Sequence, residues 1–354
     1  MKLYVGLDVS LKSTSICVVD ESGKTVKEMT AASEPEAIAN AVSKWTPQIE
    51  RIGLEAQSLS PWIAVELAAA GLPVVVVETY HMKQALSAMR NKTDRADARG
   101  VAQMLRVGWF RPVHVKSAES QQLRFLLSGR RLLKRKFIDV ENELRGALKA
   151  FGLVIGTVSR GRFEARVREL LDGAPAAVVA LGATLLGVRR VLLEEFSRLH
   201  KEIVRLVGRD EVCRRFMTVP GVGPVTALAF KTAVDDPTRF SRSRTVGAHF
   251  GLTPRRFQSG EVDYSGRISR CGDEEVRTSL YTAASALLTR CQKWSALRAW
   301  GLSIAKRRGH RRAVVAVARK LAVLLHAMWR DGSEFRWTKT AAPPSVSSAA
   351  IAAA

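Results

Sequence analysis

Between residues 118 and 210 the chain uses one device twice. Leu126, Leu133, Val140 and Ala147 recur every seven residues, and Phe137, Leu144 and Phe151 fall four positions after three of them. Leu185, Leu192, Leu199 and Leu206 repeat the spacing, with Phe196 and Ile203 between them. That period gathers the side chains into one stripe of an α-helix but onto no common face of a strand, so two long helices with a shared seam are predicted. An antiparallel hairpin and a dimerisation arm bury the same seam. Sequence leaves both open, and leaves the fold of residues 155–184 open as well.

This helical arm, 116–210, separates two regions of different pattern, and 354 residues are more than one core usually organises. Before it, "LYVGLDVSLKSTSICVVDESGKTVKEMT" reads as a meander of three short strands. A helical stretch "EPEAIANAVSKW" follows, then a strand "RIGLEA", a helix "PWIAVELAAAG" opened by proline and closed by Gly71, and a strand "LPVVVVET". Residues 1–115 are therefore expected to form an α/β domain with a mixed sheet. Residues 211–332 read as short helices and turns, an all-α domain, and 333–354 as a disordered tail ending in the low-complexity "AAPPSVSSAAIAAA". No internal repeat of roughly 20 to 50 residues is visible.

Charge narrows the function. The chain has 56 basic and 33 acidic residues, a net +23, and the first 115 residues are close to neutral. Residues 241–330 alone hold 18 basic and 5 acidic residues, 18 − 5 = +13. Positive charge clustered in this way points to a polyanion, nucleic acid above all. The apolar runs read as too short to span a bilayer, and the N-terminus lacks a secretory signal. A cytoplasmic, nucleoid-associated bacterial protein without a membrane segment is expected. Cys17, Cys213, Cys271 and Cys291 are far apart with no histidine at ligand spacing, so free thiols are expected rather than disulfides or zinc.

Against this basic background, four acids stand out. Asp8 sits in the apolar strand "YVGLDVS" and Glu55 in the strand "IGLEA". A carboxylate at the end of an apolar strand is costly unless something neutralises it. Asp94 and Asp97 are three apart in "RNKTDRADAR", among the basic residues Arg90, Lys92, Arg95 and Arg99. On a helix that spacing is one face, with Thr93 as N-cap and the helix N-terminus favouring the acids. Arg95 and Arg99 are expected to point off that face, toward phosphates or partner acids. Hard oxygen ligands suit Mg2+ or Mn2+, and a pair of such ions clamps the attacking and leaving oxygens of a phosphodiester.

The basic C-terminal half holds three more signals. "MTVPGVGPVTALAF" places Gly221 and Gly223 in a turn between helices, the pattern of helix-hairpin-helix modules that hold a DNA phosphate on exposed amides. "FGLTPRRFQSGEVDYSGRISRCG" surrounds several serines with Arg255, Arg256, Arg267 and Arg270, whose forked donors suit phosphate oxygens. Ser241, Ser243, Ser259, Ser265 and Ser269 are equal candidates for a nucleophile by position alone. "AKRRGHRRAVVAVARKLAVLLHAMW" sets Arg307, Arg308, Arg311 and Arg312 ahead of an amphipathic helix, a surface suited to tracking phosphates.

"VGLDVS", "GLEA", "RNKTDRADAR" and "FGLTPRRFQSG" together resemble the DEDD transposases of the insertion sequence 110 family, described as bridge-RNA-guided recombinases. The likeness runs from about residue 3 to 330, with Ala56-Gln57-Ser58 standing where the family commonly has Ala-Thr-Gly. It implies a Holliday-junction-resolvase-like (RuvC-type) RNase H fold at the N-terminus. Its metal tetrad falls on Asp8, Glu55, Asp94 and Asp97. The serine of its R-R-[FY]-x-S-G setting falls on Ser259, which would attack DNA and form a phosphoserine link, the active centre being completed across subunits. The resemblance further implies donor and target DNA, a structured guide RNA from the element's own flank, and a homodimer or homotetramer. A two-metal nuclease or junction resolvase using the acids alone is the rival enzyme. A non-catalytic DNA-binding protein and an actin-like ATPase are more distant, the latter because the Gly-rich phosphate loops it needs are missing.

Overall fold

The computed structural model describes residues 1–87 and 93–337. Arg90, Lys92 and the tail from residue 338 lie outside the described residues. The chain divides into two compact units that meet at Lys116 and Ser117.

The first unit contains β1 (Leu3–Val9), β2 (Ser13–Asp20), β3 (Thr25–Ala32), α1 (Pro35–Val42), β4 (Ile49–Glu55), α2 (Ser60–Ala69), β5 (Val74–Val77), α3 (Thr79–Leu86) and α4 (Asp94–Val107). The expected meander of β1 to β3 is antiparallel, β4 and β5 run parallel to β1, and the sheet order is β3-β2-β1-β4-β5. The mixed sheet of an α/β domain, as expected, is present. Parallel neighbours need a crossover, and α1 and α2 supply those connections. Side chains alternate between faces along each strand. Leu3, Val5 and Leu7 of β1, with Ile16, Val18, Ile52 and Leu54, face a core closed by Ile38, Val42, Ile63 and Leu67.

The opposite face carries α4, and two glycines allow it to come close. A Cβ on Gly6 would lie 2.0 Å from the carbonyl oxygen of Ala98, and one on Gly53 would lie 2.5 Å from Leu105. Around them Cys17 and Val19 pack with Ala98 and Ala102, and Val77 packs with Val101 and Leu105.

The second unit contains α5 (Ala118–Lys149), α6 (Phe163–Leu171), α7 (Ala176–Arg209), α8 (Glu211–Met217), α9 (Pro224–Val234), α10 (Val246–His249), β6 (Pro254–Ser259), β7 (Val262–Ile268), α11 (Glu274–Thr289), α12 (Ala296–Arg308) and α13 (His310–Asp331). The two heptad helices, α5 and α7, form an antiparallel hairpin. Arg130 reaches His200, Phe137 meets Phe196 edge-on at 5.5 Å between centroids, and Arg189 pairs with Glu141 at 2.7 Å. Leu127, Phe137, Leu144 and Leu148 face Val178, Leu186, Ile203 and Val207 as its buried seam. Leu126, Leu133 and Val140 flank the seam half-buried, and Phe151 is 56% exposed because α5 ends at Lys149.

Residues 155–184, left open by sequence, close the far end of the hairpin. There Ile155, Phe163, Val167 and Leu171 make a small core with Leu144 and Val178. By length and composition α7 is long and apolar enough to cross a membrane, which the expectation of short apolar runs overlooked. Here it packs along α5.

The remaining helices share one core, in which Phe216, Phe230 and Phe250 pack with Leu280, Val317 and Leu321. Leu127, Ile203 and Val207 of the arm belong to that core as well. Two expectations change. Residues 254–268 form a β-ribbon rather than helices and turns. The expected disordered tail begins too early, because Phe335 packs on the core and donates its amide to Thr218, and Lys293 lies over the Trp337 ring at 4.1 Å.

Candidate active site

The four acids lie on three elements of the first unit. β1 and β4 are parallel with Leu7 opposite Leu54, so Asp8 and Glu55 stand one step further at adjacent strand ends. Each lies two residues beyond a glycine covered by α4, Asp8 after Gly6 and Glu55 after Gly53. Strand alternation therefore puts both acids on the α4 side of the sheet. Both are half-buried.

α4 runs antiparallel to β1. Ala98 sits over Gly6, while Gln103 donates to the Gly23 carbonyl and Arg106 to that of Glu21, in the β2–β3 turn at the other end of the strands. Its first turn thus extends past the strand ends that carry Asp8 and Glu55. Asp94 and Asp97 continue the stripe of Ala98, Val101, Ala102 and Leu105 that packs on the sheet, one turn beyond its edge. Thr93 is the N-cap, its hydroxyl accepting from the Ala96 amide at 3.2 Å. Arg99 leaves the acid face and pairs with Glu28 at 2.6 Å, a partner acid being one of the two partners expected for it.

The neighbouring turns are tied down. The Ser60 hydroxyl donates to the Glu55 carbonyl and accepts from the Gln57 amide, which fixes the departing Ala56-Gln57-Ser58 turn. Beside Asp8, the Ser33 hydroxyl donates to the Ser10 carbonyl at 2.7 Å and meets the Thr14 hydroxyl at 2.8 Å. Backbone topology therefore aims four carboxylates at one end of the sheet. Among the described residues, no three acidic, histidine or cysteine side chains are closed into a ligand cluster. Four like charges without a cation repel one another, and the donor set is all oxygen, the chemistry of Mg2+ or Mn2+ rather than of zinc.

Ser259 ends β6 at the tip of the ribbon, opposite Val262, across a two-residue turn whose Gly260 has φ +55°. The ribbon projects into solvent: every residue of β6 is exposed. Phe257 and Tyr264 stack across it at 5.0 Å, and Arg256 forms a two-bond pair with Asp263. Its base is clamped, since a Cβ on Gly251 would sit 2.5 Å from Cys271 backbone and one on Gly272 would sit 2.1 Å from the His249 carbonyl oxygen. The Ser259 hydroxyl is exposed with no hydrogen-bond partner among the described residues. Arg255 donates to the Ser269 carbonyl, Arg267 is exposed, and Arg270 leaves the ribbon with φ +56°.

Gly221 and Gly223 lie between α8 and α9. Gly221 has φ +88°, and a Cβ there would be 2.3 Å from the Ala283 carbonyl oxygen, so packing on α11 explains this glycine without a phosphate. Gly223 is the N-cap of α9 and faces open space. Arg307 and Arg308 end α12 and Arg311 and Arg312 begin α13, all exposed. Sequence reading missed the exposed ribbon. Its signal was the alternating "RRFQSGEVDYSGRI", with glycine at the turn.

Residues 213–299 match the model of the IS116/IS110/IS902 transposase family, and residues 5–152 match that of a DEDD transposase of IS110 type. A probable family 20 transposase of Pseudomonas aeruginosa is 30% identical over 78% of this chain and 83% of its own length. This chain belongs to the IS110/IS116/IS902 family of transposases. The transposase of insertion sequence element IS1111A from Coxiella burnetii is 28% identical over 94% of this chain and 91% of that one. The Thermus thermophilus RuvC structure aligns with 31% of this chain and 99% of its own, at 16% identity and a TM-score of 0.25. A family transposase acts on DNA, and a DEDD type implies a divalent metal.

Proposed function

We propose that this transposase cuts and rejoins DNA strands with Asp8, Glu55, Asp94 and Asp97 as its metal-holding acids and Ser259 as its nucleophile. The observation that carries the reading is the register of Asp8 beside Glu55, beyond the last β1–β4 pair and under the first turn of α4. Mg2+ or Mn2+ held there would act as a Lewis acid on phosphodiester oxygens.

The chain's own residues do the rest. Ser259 Oγ attacks phosphorus, a Ser–phosphate bond forms, a phosphorus–deoxyribose oxygen bond breaks, and the hydroxyl proton ends on the leaving oxygen. Reversal with a second strand end rejoins DNA and frees the serine. Exposure at the tip of a ribbon suits an attack on a polymer. Arg267 and Arg270 are candidates to bind phosphate oxygens, whereas Arg256 is held by Asp263.

The remaining readings are a guide RNA, a helix-hairpin-helix contact at Gly221 and Gly223, and assembly as a dimer or tetramer. The charge supports the first, the turn between α8 and α9 the second, and exposed Phe125, Leu181 and Val191 on the arm the third. Sequencing the RNA that co-purifies with the protein tests the guide: one element-derived species supports it and random fragments contradict it. The catalytic test uses a nicked DNA substrate that traps a covalent adduct. Wild type should yield a protein–DNA adduct and Ser259→Ala none. Cleavage by Ser259→Ala at the wild-type rate would establish instead a nuclease using the acids alone.

A further inference from the structure

A groove of about 680 Å³ lies between α12 and α13, with Pro254 and Ile268 at the base of the Ser259 ribbon on its wall. Its charge is of one sign. Arg244, Arg307, Arg308, Arg312, Arg319 and Lys320 line it, and no acidic residue does. None of the six forms an ion pair among the described residues, although cations elsewhere in this unit, such as Arg124, Arg189 and Lys231, are paired.

Arg312, Ala316, Arg319, Lys320 and Val323 follow one face of α13, so cations and small apolar side chains share the floor of the groove. Trp300 of α12 stands in the wall, 40% exposed, with the Lys320 ammonium 5.3 Å from its ring centroid. Cations without ion-pair partners beside a partly exposed aromatic ring are the two elements that hold a single strand, the first tracking phosphates and the second stacking a base in place of the Lys320 ammonium. Duplex DNA keeps its bases stacked inside and offers Trp300 nothing comparable.

We infer that this groove binds an unpaired stretch of DNA leading to the Ser259 ribbon, with phosphates on Arg308, Arg312 and Arg319 and one base stacked on Trp300. The inference rests on the strand-transfer reading for its choice of DNA, because Pro254 and Ile268, at the base of the ribbon that carries the proposed nucleophile, line the groove. Arg307, Arg308 and Arg312 were candidates from sequence. Arg244, Trp300, Arg319 and Lys320 come from the fold.

The test is binding rather than cleavage, so it is separable from the serine chemistry. Full-length Ser259→Ala protein is titrated into a fluorescein-labelled single-stranded DNA, the matching duplex and the matching RNA strand, at several salt concentrations, by anisotropy. Adding Trp300→Ala should weaken single-strand binding roughly five- to a hundredfold and leave duplex binding nearly unchanged. Arg312→Gln and Arg319→Gln should each lower the salt slope by about one contact's worth. Circular dichroism identical to the parent excludes misfolding of a variant. Equal single-strand affinity with and without Trp300 overturns the inference, as does loss confined to the RNA strand. A missing adduct in the serine test leaves this measurement untouched, so the two failures are distinguishable.

Discussion

Asp8 and Asp97 sit on different elements, and one prediction covers both. Asp8 is half-buried on a strand, and Asp97 extends a helix stripe beyond the sheet. Replacing either by asparagine keeps the shape and removes a charge. Strand cleavage should fall by about a hundredfold or more, while thermal stability stays equal or rises because carboxylate repulsion is relieved. Calorimetric unfolding beside a cleavage assay reads both, and a drop in stability that parallels the loss of activity would argue for a structural role.

The cysteines divide by burial. Burial raises the Cys17 thiol to about 11, with Glu28 adding to it, and pushes Cys213 up as well. Cys271 is exposed. A maleimide at neutral pH should label Cys271 in the native protein and reach Cys17 and Cys213 only on unfolding, as peptide mass mapping would show.

At the scale of elements, the α4–sheet interface depends on two glycines. Gly6→Val should destabilise the first unit by about 3 kcal/mol or more, since the added atoms meet Ala98 backbone and not a flexible side chain. Chemical denaturation checks it, and a neutral result would mean that α4 is free to lift from the sheet.

A second element-level device is the fully buried His326 of α13. Its Nε2 donates to the Pro237 carbonyl at 2.9 Å, which leaves Nδ1 to accept from the Ser243 hydroxyl at 2.8 Å. Burial lowers its pKa, and Arg330 adds to that against the Pro237 bond. The folded state therefore favours the neutral ring. This contribution is complete above the unfolded value near 6.5 and is lost as pH falls toward the lower folded value. Denaturation midpoints across that window should decline on acidification, and His326→Gln should flatten the decline.

Legibility followed the physics of each element. The strands and helices of the first unit were readable because each has a buried face with the right period, and Thr93 announced α4. Gly6 and Gly53 gave no sign that they seat a helix, because a tertiary contact leaves no local pattern. The arm was readable as helices, and Phe137, Leu144 and Ile203 of the expected stripe are buried in the seam, while the remaining rows settled a residue away, on Leu127 rather than Leu126, because side chains of α7 decide which rows interlock. The ribbon escaped because β6 is exposed throughout and β7 over most of its length, so no buried face sets it off from the surrounding turns. Of the candidate site, the acids showed in sequence as misplaced charges. Ser259 showed only through resemblance, since an exposed serine leaves no local signature.

For the whole molecule, charge and acid are segregated. The acids sit in a nearly neutral first unit, and most of the +23 lies in the second. Binding to nucleic acid should weaken steeply with salt, a slope that the groove variants reduce and Asp8→Asn leaves alone.

Whether Asp8, Glu55, Asp94 and Asp97 act as one cation site is tested, without any need for activity, by Mn2+ binding measured by titration calorimetry on the full-length protein. Saturable binding should be at least tenfold weaker in both Asp8→Asn and Asp97→Asn and unchanged in Ser259→Ala. Binding by Asp8→Asn as tight as by wild type would contradict the account.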